Sequence, residues 1–129
     1  MDKIIKVALT CILTVCTYSS FADDHFDINN IVYYQSNYDY KTKKEDIIAY
    51  VLKDDPCVTV KTLSNDKTKR YCKMGDSGLN LQTNNPTIYA MKLYVSPASV
   101  NFIVAAPWNE QRCRIMAVSE EISCQSTGH

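Results

Sequence analysis

The sequence predicts an α+β domain in which one N-terminal helix packs on a twisted antiparallel sheet of five to seven strands, braced by two disulfides. Three observations lead to this fold class. A helix-start signal precedes a short apolar stripe, strand-like segments fill the chain after Pro56, and four cysteines follow a leader-like N-terminus. An all-β sandwich or barrel with an incidental helix is the alternative.

The first 22 residues have the pattern of a secretory signal peptide. Two lysines precede an apolar run, Val7–Cys16, and the small residues Ser20 and Ala22 fit a cleavage site. We therefore expect a single exported domain, Asp23–His129, that is periplasmic or secreted. No later apolar run reaches the roughly 20 residues that span a bilayer, so we expect no membrane insertion once the leader is removed.

The charge balance argues against nucleic acid as a partner. The chain has 14 basic and 14 acidic residues, and a leader containing Lys3, Lys6 and Asp2 removes two of the basic ones and one of the acidic ones. A nearly neutral mature protein has no general attraction to a polyanion. The chain also lacks an open Asn-x-Ser/Thr acceptor, since Asn85 is followed by proline, and this favours a bacterial source.

The predicted helix covers 43–53. Thr42 and Glu45 match a capping box, in which the two side chains satisfy free backbone amides at a helix start. The apolar residues that follow recur at helical spacing: Ile47, Ile48, Val51 and Leu52. Pro56 cannot continue a helix and so marks its end.

A tyrosine-rich strand is predicted before the helix, over Ile28–Gln35, and a series of strands separated by turns is predicted after Pro56. In the longest of these, Tyr89, Met91, Leu93 and Val95 are expected to share one face. The predicted strands are Cys57–Leu63, Lys69–Met74, Leu79–Thr83, Thr87–Ser96, Val100–Ala106 and Arg112–Val118.

The spacing of the cysteines favours the pairs Cys57–Cys72 and Cys113–Cys124, although four cysteines allow three pairings. The first pair would lie opposite one another in a hairpin that turns near residues 64–67. The second pair would close over a turn near residues 118–121. A zinc site is disfavoured because zinc ligands usually include pairs within two to four residues of each other.

The expected binding surface is aromatic. Tyrosine gives large, stiff contact area and is enriched at protein interfaces, and four tyrosines fall close together before the predicted helix. Trp108, in a turn after Pro107, is a second candidate contact residue. The candidate binding residues are Tyr33, Tyr34, Tyr38, Tyr40 and Trp108.

These features favour a non-enzymatic exported protein that binds a protein partner, of the inhibitor, immunity or adhesion-accessory type. Histidines occur only near the ends of the mature chain, at His25 and His129, which disfavours nucleophile–histidine catalysis.

Two alternatives use other residues. A small secreted enzyme or effector would act through carboxylates. The acidic pairs adjacent in the sequence are Glu45 with Asp46, Asp54 with Asp55, and Glu120 with Glu121. Such chemistry needs two carboxyls across a cleft, so we interpret these pairs as solvated charges and caps. A copper- or nickel-binding protein would use His25, which is third from the predicted mature N-terminus. There the amine, two backbone amides and the imidazole would form a square plane.

Overall fold

The computed structural model describes residues 27–128, which form two four-stranded antiparallel sheets. Within each sheet the strands follow sequence order, so each sheet is a meander of hairpins. The first sheet contains β1–β4 and the second contains β5–β8. The strands are β1 Ile31–Ser36, β2 Ile47–Leu52, β3 Val58–Thr62, β4 Lys67–Tyr71, β5 Tyr89–Val95, β6 Ser99–Ala105, β7 Gln111–Met116 and β8 Ile122–Ser126.

The predicted helix over 43–53 and the α+β class are wrong. Residues 47–52 form β2, and the described chain is nearly all β, with only two short 3-10 turns, Ile28–Asn30 and Gly75–Ser77. The apolar run fits strand alternation as well as helical spacing, and at six residues it is short for a helix. Lys43 has a φ of 55°, which a right-handed helix excludes.

One hydrophobic core joins the two sheets. From the first sheet, Ile47, Ala49 and Val51 of β2 are buried, and from the second sheet Phe102 of β6 and Ile115 of β7 are buried. Between the two sheets, β1 and β2 make the closest approach to β5. Met74 and Leu81, from the segment that connects the sheets, are fully buried in the same core.

Both predicted disulfides are confirmed, and each braces the last hairpin of its sheet. Val58 pairs with Tyr71, which places Cys57 opposite Cys72 one residue beyond the ladder, with Cα atoms 4.7 Å apart. Cys113 and Cys124 are direct cross-strand partners in β7 and β8, with Cα atoms 4.1 Å apart. The two halves of the chain thus repeat one plan, a four-stranded meander with a covalently closed final hairpin.

Several predicted strands need correction. Leu79–Thr83 forms no strand, although an isolated bridge joins Asn80 to Lys73. Residues 122–126, which were not predicted as a strand, form β8. In β5 a bulge at Lys92, with a φ of 54°, breaks the alternation. Consequently Tyr89 does not share the core face: it is exposed, whereas Ala90, Leu93 and Val95 are buried.

The four edge strands differ in how they are protected against pairing with another chain. β4 carries Lys67, Lys69 and Arg70, and β5 is bulged at Lys92; charges and bulges both discourage pairing. β8 is covered in part by the second 3-10 turn, where a Cβ on Gly75 would lie 3.6 Å from the Cys124 backbone nitrogen. β1 has neither charge nor proline, and its register shift is confined to its first residues.

Candidate functional site

β1 presents the longest exposed uncharged stretch at a sheet edge. Its burial pattern leaves the four residues from Val32 to Gln35 exposed, and β2 is its hydrogen-bonded neighbour in the sheet. Tyr33 lies opposite Val51 on the face toward the second sheet, and Tyr34 lies opposite Tyr50 on the outer face. The two tyrosines therefore project from opposite faces of β1, one on each side of its outer edge.

The β1–β2 loop, residues 37–46, is held at its base by one amide side chain. Asn37 Oδ1 accepts hydrogen bonds from the backbone nitrogens of Asp46 (2.9 Å) and Ile47 (2.8 Å). Further out, the Asp39 nitrogen donates to the Lys44 carbonyl at 2.8 Å. These bonds extend the hairpin beyond the strands and fix the loop relative to β1.

Tyr38 and Tyr40 lie together on this loop. Their ring centroids are 5.0 Å apart at an interplanar angle of 85°, an edge-to-face arrangement that aromatic pairs prefer. Tyr40 is 86% exposed and Tyr38 is 42% exposed. Asp39, between them, accepts a backbone hydrogen bond from Lys41, and this bond lowers the pKa of the Asp39 carboxyl.

Tyr34 joins the strand to the loop. Its hydroxyl donates to Glu45 Oε1 at 3.3 Å. Partial burial, and secondarily the negative charge of Glu45, raise the pKa of the Tyr34 hydroxyl. The phenol therefore remains a hydrogen-bond donor to a higher pH than an ordinary tyrosine hydroxyl.

A cleft of about 380 Å³ opens between the sheets beside Tyr33. Tyr33 and Val32 of β1 form one wall, and Tyr89 of β5 and Pro86 form the other, with Pro56 also lining it. The cleft is mostly apolar and lies at the start of β1. It offers a pocket for an apolar side chain next to the exposed edge.

The candidate aromatic residues fall into separate groups. Tyr33 shares the cleft with Tyr89, whereas Tyr38 and Tyr40 lie on the loop at the other end of β1. Trp108 is on a different loop, between β6 and β7, and is 91% exposed. Since β5 begins at Tyr89 opposite Ala105, the Trp108 turn leaves the second sheet at the end where the cleft lies.

Tyr89 is the site residue that the sequence interpretation missed. The alternation of its strand placed it in the core, and the bulge at Lys92 reverses that placement. No signal in the sequence marks this reversal, because Lys92 would face solvent in a regularly alternating strand as well.

Four of the six adjacent carboxylates make side-chain contacts, among them Glu45 with the Tyr34 hydroxyl. Asp54 accepts a hydrogen bond from the Asn30 amide at 2.7 Å, and Asp55 is paired with Arg70. Glu120 is paired with Lys67 and Lys69. Among the described carboxyls whose pKa is shifted, hydrogen bonds lower the values of Asp39, Asp55 and Glu120, which is opposite to the direction that a general acid requires.

The proposed metal ligand, His25, and the predicted leader over 1–22 lie outside the described residues. Between Asp27 and Gly128, no group of three or more histidine, cysteine, aspartate or glutamate side chains is arranged to hold a metal ion. The same part of the chain contains no helix with the length and hydrophobicity that a membrane crossing needs.

Comparisons with protein families, with curated proteins and with solved structures found no match to this chain.

Proposed function

We propose that this protein is an exported, non-enzymatic binding module that takes up an extended segment of a partner protein along β1, with Tyr33 and Tyr34 contacting that segment from either side. The observation that carries the proposal is the uncharged, exposed edge of β1, in a protein whose other edge strands are charged, bulged or covered.

The chemistry of the β1 edge suits strand addition. A partner strand that pairs with a sheet edge gains affinity from main-chain hydrogen bonds, and pockets for alternate side chains provide specificity. The cleft between Tyr33 and Tyr89 lies beside this edge and supplies such a pocket. The aromatic side chains add rigid contact area, since each has only two rotatable side-chain bonds.

The loop supports the same interpretation. Asn37 holds the loop onto β2, so Tyr38 and Tyr40 are presented on an ordered hairpin extension. Ordering these side chains before binding reduces the conformational entropy that association loses.

The location we propose is the bacterial periplasm or the extracellular space. Two disulfides fit a protein outside the cytoplasm, because such bonds persist in oxidising compartments. Mass spectrometry of the protein recovered from its host tests the finer statement. We expect a mature chain that begins at Asp23, and a chain that retains its leader would overturn it.

The partner proposal is tested by affinity capture of envelope and culture-medium proteins from the native host. Val32→Lys places a charge on the open edge at a side chain that is 48% exposed, so the fold should tolerate it. Val118→Lys is the matched control, since Val118 is 96% exposed in the β7–β8 turn. We expect wild type and Val118→Lys to capture the same partner and Val32→Lys to lose it. Equal capture by all three proteins, or no specific partner, would contradict the proposal.

A second variant tests the contribution of the cleft to binding separately from that of the β1 edge. Tyr33→Ala removes one wall of the cleft without adding charge. We expect weaker binding of the same partner rather than complete loss, because the substitution leaves the main chain of β1 unchanged. Crosslinking from a photoreactive residue at position 35 should join the partner to β1 in the wild-type background.

A further inference from the structure

The outer face of the second sheet carries a concavity that the proposed function does not use. Along β7 the side chains alternate strictly: Gln111, Cys113 and Ile115 are buried, whereas Arg112 and Arg114 face solvent. The two arginines are two residues apart on one strand, about 7 Å along it, so both guanidinium groups can reach one ligand. A concavity of about 190 Å³ lies between these arginines and the neighbouring strands.

Polar side chains from the adjacent strands complete the concavity. Arg114 lies opposite Asn101 of β6 on one side and Ser123 of β8 on the other. Arg112 lies opposite Gln125 of β8. We call the set Asn101, Arg112, Arg114, Ser123 and Gln125 the arginine concavity.

Arg114 is oriented by a chain of hydrogen bonds that begins inside the protein. Ser99 is only 7% exposed, and its hydroxyl lies 2.8 Å from that of Ser96. Asn101 Nδ2 donates to Ser99 Oγ at 3.2 Å, and Arg114 Nε donates to Asn101 Oδ1 at 3.0 Å. Because Asn101 takes up Nε, the terminal nitrogens of Arg114 keep their donors for a ligand.

Neither arginine of the concavity forms an ion pair with a described carboxylate. The third arginine of the chain, Arg70, is paired with Asp55. The concavity therefore holds two uncompensated positive charges in a protein that is nearly neutral. Guanidinium groups bind planar or tetrahedral oxyanions through paired N–H donors, and Ser123 and Gln125 offer further donors beside them.

We propose that the arginine concavity binds an oxyanion group, a carboxylate, sulfate or phosphate carried by a ligand, with Arg114 as the pre-oriented donor. This site lies on the outer face of the second sheet and is independent of the β1 edge.

The test is an NMR titration of the oxidised, 15N-labelled protein with sodium phosphate, sodium sulfate and sodium acetate at constant ionic strength set with sodium chloride. We expect saturable shifts confined to the strands around Asn101, Arg112–Arg114 and Ser123–Gln125. The ranking of the three salts identifies the preferred oxyanion. Shifts no larger than those from sodium chloride, or saturable shifts elsewhere, would overturn the proposal.

Variants assign the effect to the two arginines. Because hydrogen bonds to charged groups are the stronger ones, we expect Arg114→Gln to weaken binding at least about tenfold. Arg112→Gln should also weaken it, and Lys73→Gln, which removes an exposed cation from the segment that connects the sheets, should leave it unchanged. Unchanged affinity in both arginine variants would refute the site. Val32→Lys should retain oxyanion binding. Partner capture therefore tests the β1 proposal, and the oxyanion titration tests the arginine concavity independently of it.

Discussion

Arg70 and Asp55 form a bidentate ion pair, with Nε 2.7 Å from Oδ2 and Nη2 2.8 Å from Oδ1. The pair joins β4 to the loop that precedes β3, two residues from the Cys57–Cys72 disulfide on both sides. Asp55 Oδ1 also accepts a hydrogen bond from the Cys57 nitrogen at 3.2 Å. An ion pair and a covalent bond therefore hold the same two segments together.

This pair predicts acid-sensitive stability. The hydrogen bonds from Arg70 lower the pKa of Asp55 below its ordinary value of 3.8. A carboxyl with a lowered pKa in the folded state stabilises that state above its unfolded pKa, and the contribution is lost as the pH falls through the folded value. We expect Asp55→Asn to lower the Tm at about pH 7, and we expect the Tm difference from wild type to shrink as the pH falls through the lowered folded-state pKa of Asp55.

The control is Asp66→Asn, because Asp66 is 86% exposed in its side chain and its ion pair with Lys61 spans 3.5 Å. Its Tm profile should follow that of wild type throughout. Hydrogen bonds also lower the pKa values of Asp39 and Glu120, so Asp55→Asn should keep part of the acid sensitivity. A Tm difference for Asp55→Asn that persists unchanged at low pH would show that its effect is not due to titration.

The disulfides should each contribute substantially to stability. They close sequence separations of 15 and 11 residues, and removing a native disulfide from a small exported domain costs about 2–5 kcal/mol. We expect the paired replacement Cys57→Ala with Cys72→Ala to cost slightly more than Cys113→Ala with Cys124→Ala, because its loop is longer. Guanidinium unfolding measures both.

A reductant separates the covalent contribution from any loss of packing, since Cys57 and Cys113 are both buried. Reduced wild type should be less stable than the oxidised protein, and it should be at least as stable as a protein in which all four cysteines are alanine. Undiminished stability after complete reduction would mean that neither bond constrains the unfolded chain.

The sequence predicted the disulfide pairs correctly because the pairs depend on local hairpins. Cys57 and Cys72 flank a hairpin whose turn is visible in the sequence, and the same reasoning placed Cys124 opposite Cys113. That pairing already required a strand around Cys124, but residues 122–126 are short and mostly polar, so β8 was missed.

β2 shows why the fold class was not predictable from local pattern. Its six residues are all apolar, and both faces are at least half buried, so neither the helical nor the strand period is distinct. Its strand state depends on pairing with β1 and β3 on its two sides, which are tertiary contacts. The sequence shows the tyrosines as one group. Their division between the β1 edge, the cleft and the loop follows from the strand register, and the exposure of Tyr89 follows from the bulge at Lys92.

Phe102, at the centre of β6, is 2% exposed. Its side chain faces the first sheet, and replacement by alanine leaves a cavity that surrounding strands cannot close. We expect Phe102→Ala to destabilise the protein by about 3–5 kcal/mol in urea unfolding. Ile103→Ala, at the neighbouring half-buried position on the opposite face, is the control and should cost clearly less. Equal losses at the two positions would argue against a core shared between the sheets.

Trp108 provides a direct optical test of the exposed β6–β7 turn, because it is the single tryptophan of the chain and is 91% exposed. We expect the folded protein to emit like a solvated indole and to be quenched by acrylamide almost as efficiently as the unfolded chain. Trp108→Ala should change stability by no more than about 0.5 kcal/mol, as is usual for exposed side chains without special contacts. A blue-shifted, protected emission in the free protein would contradict the exposed turn. If the captured partner extends from the cleft to this end of the second sheet, its binding should shift the emission to the blue, and Val32→Lys should abolish that shift.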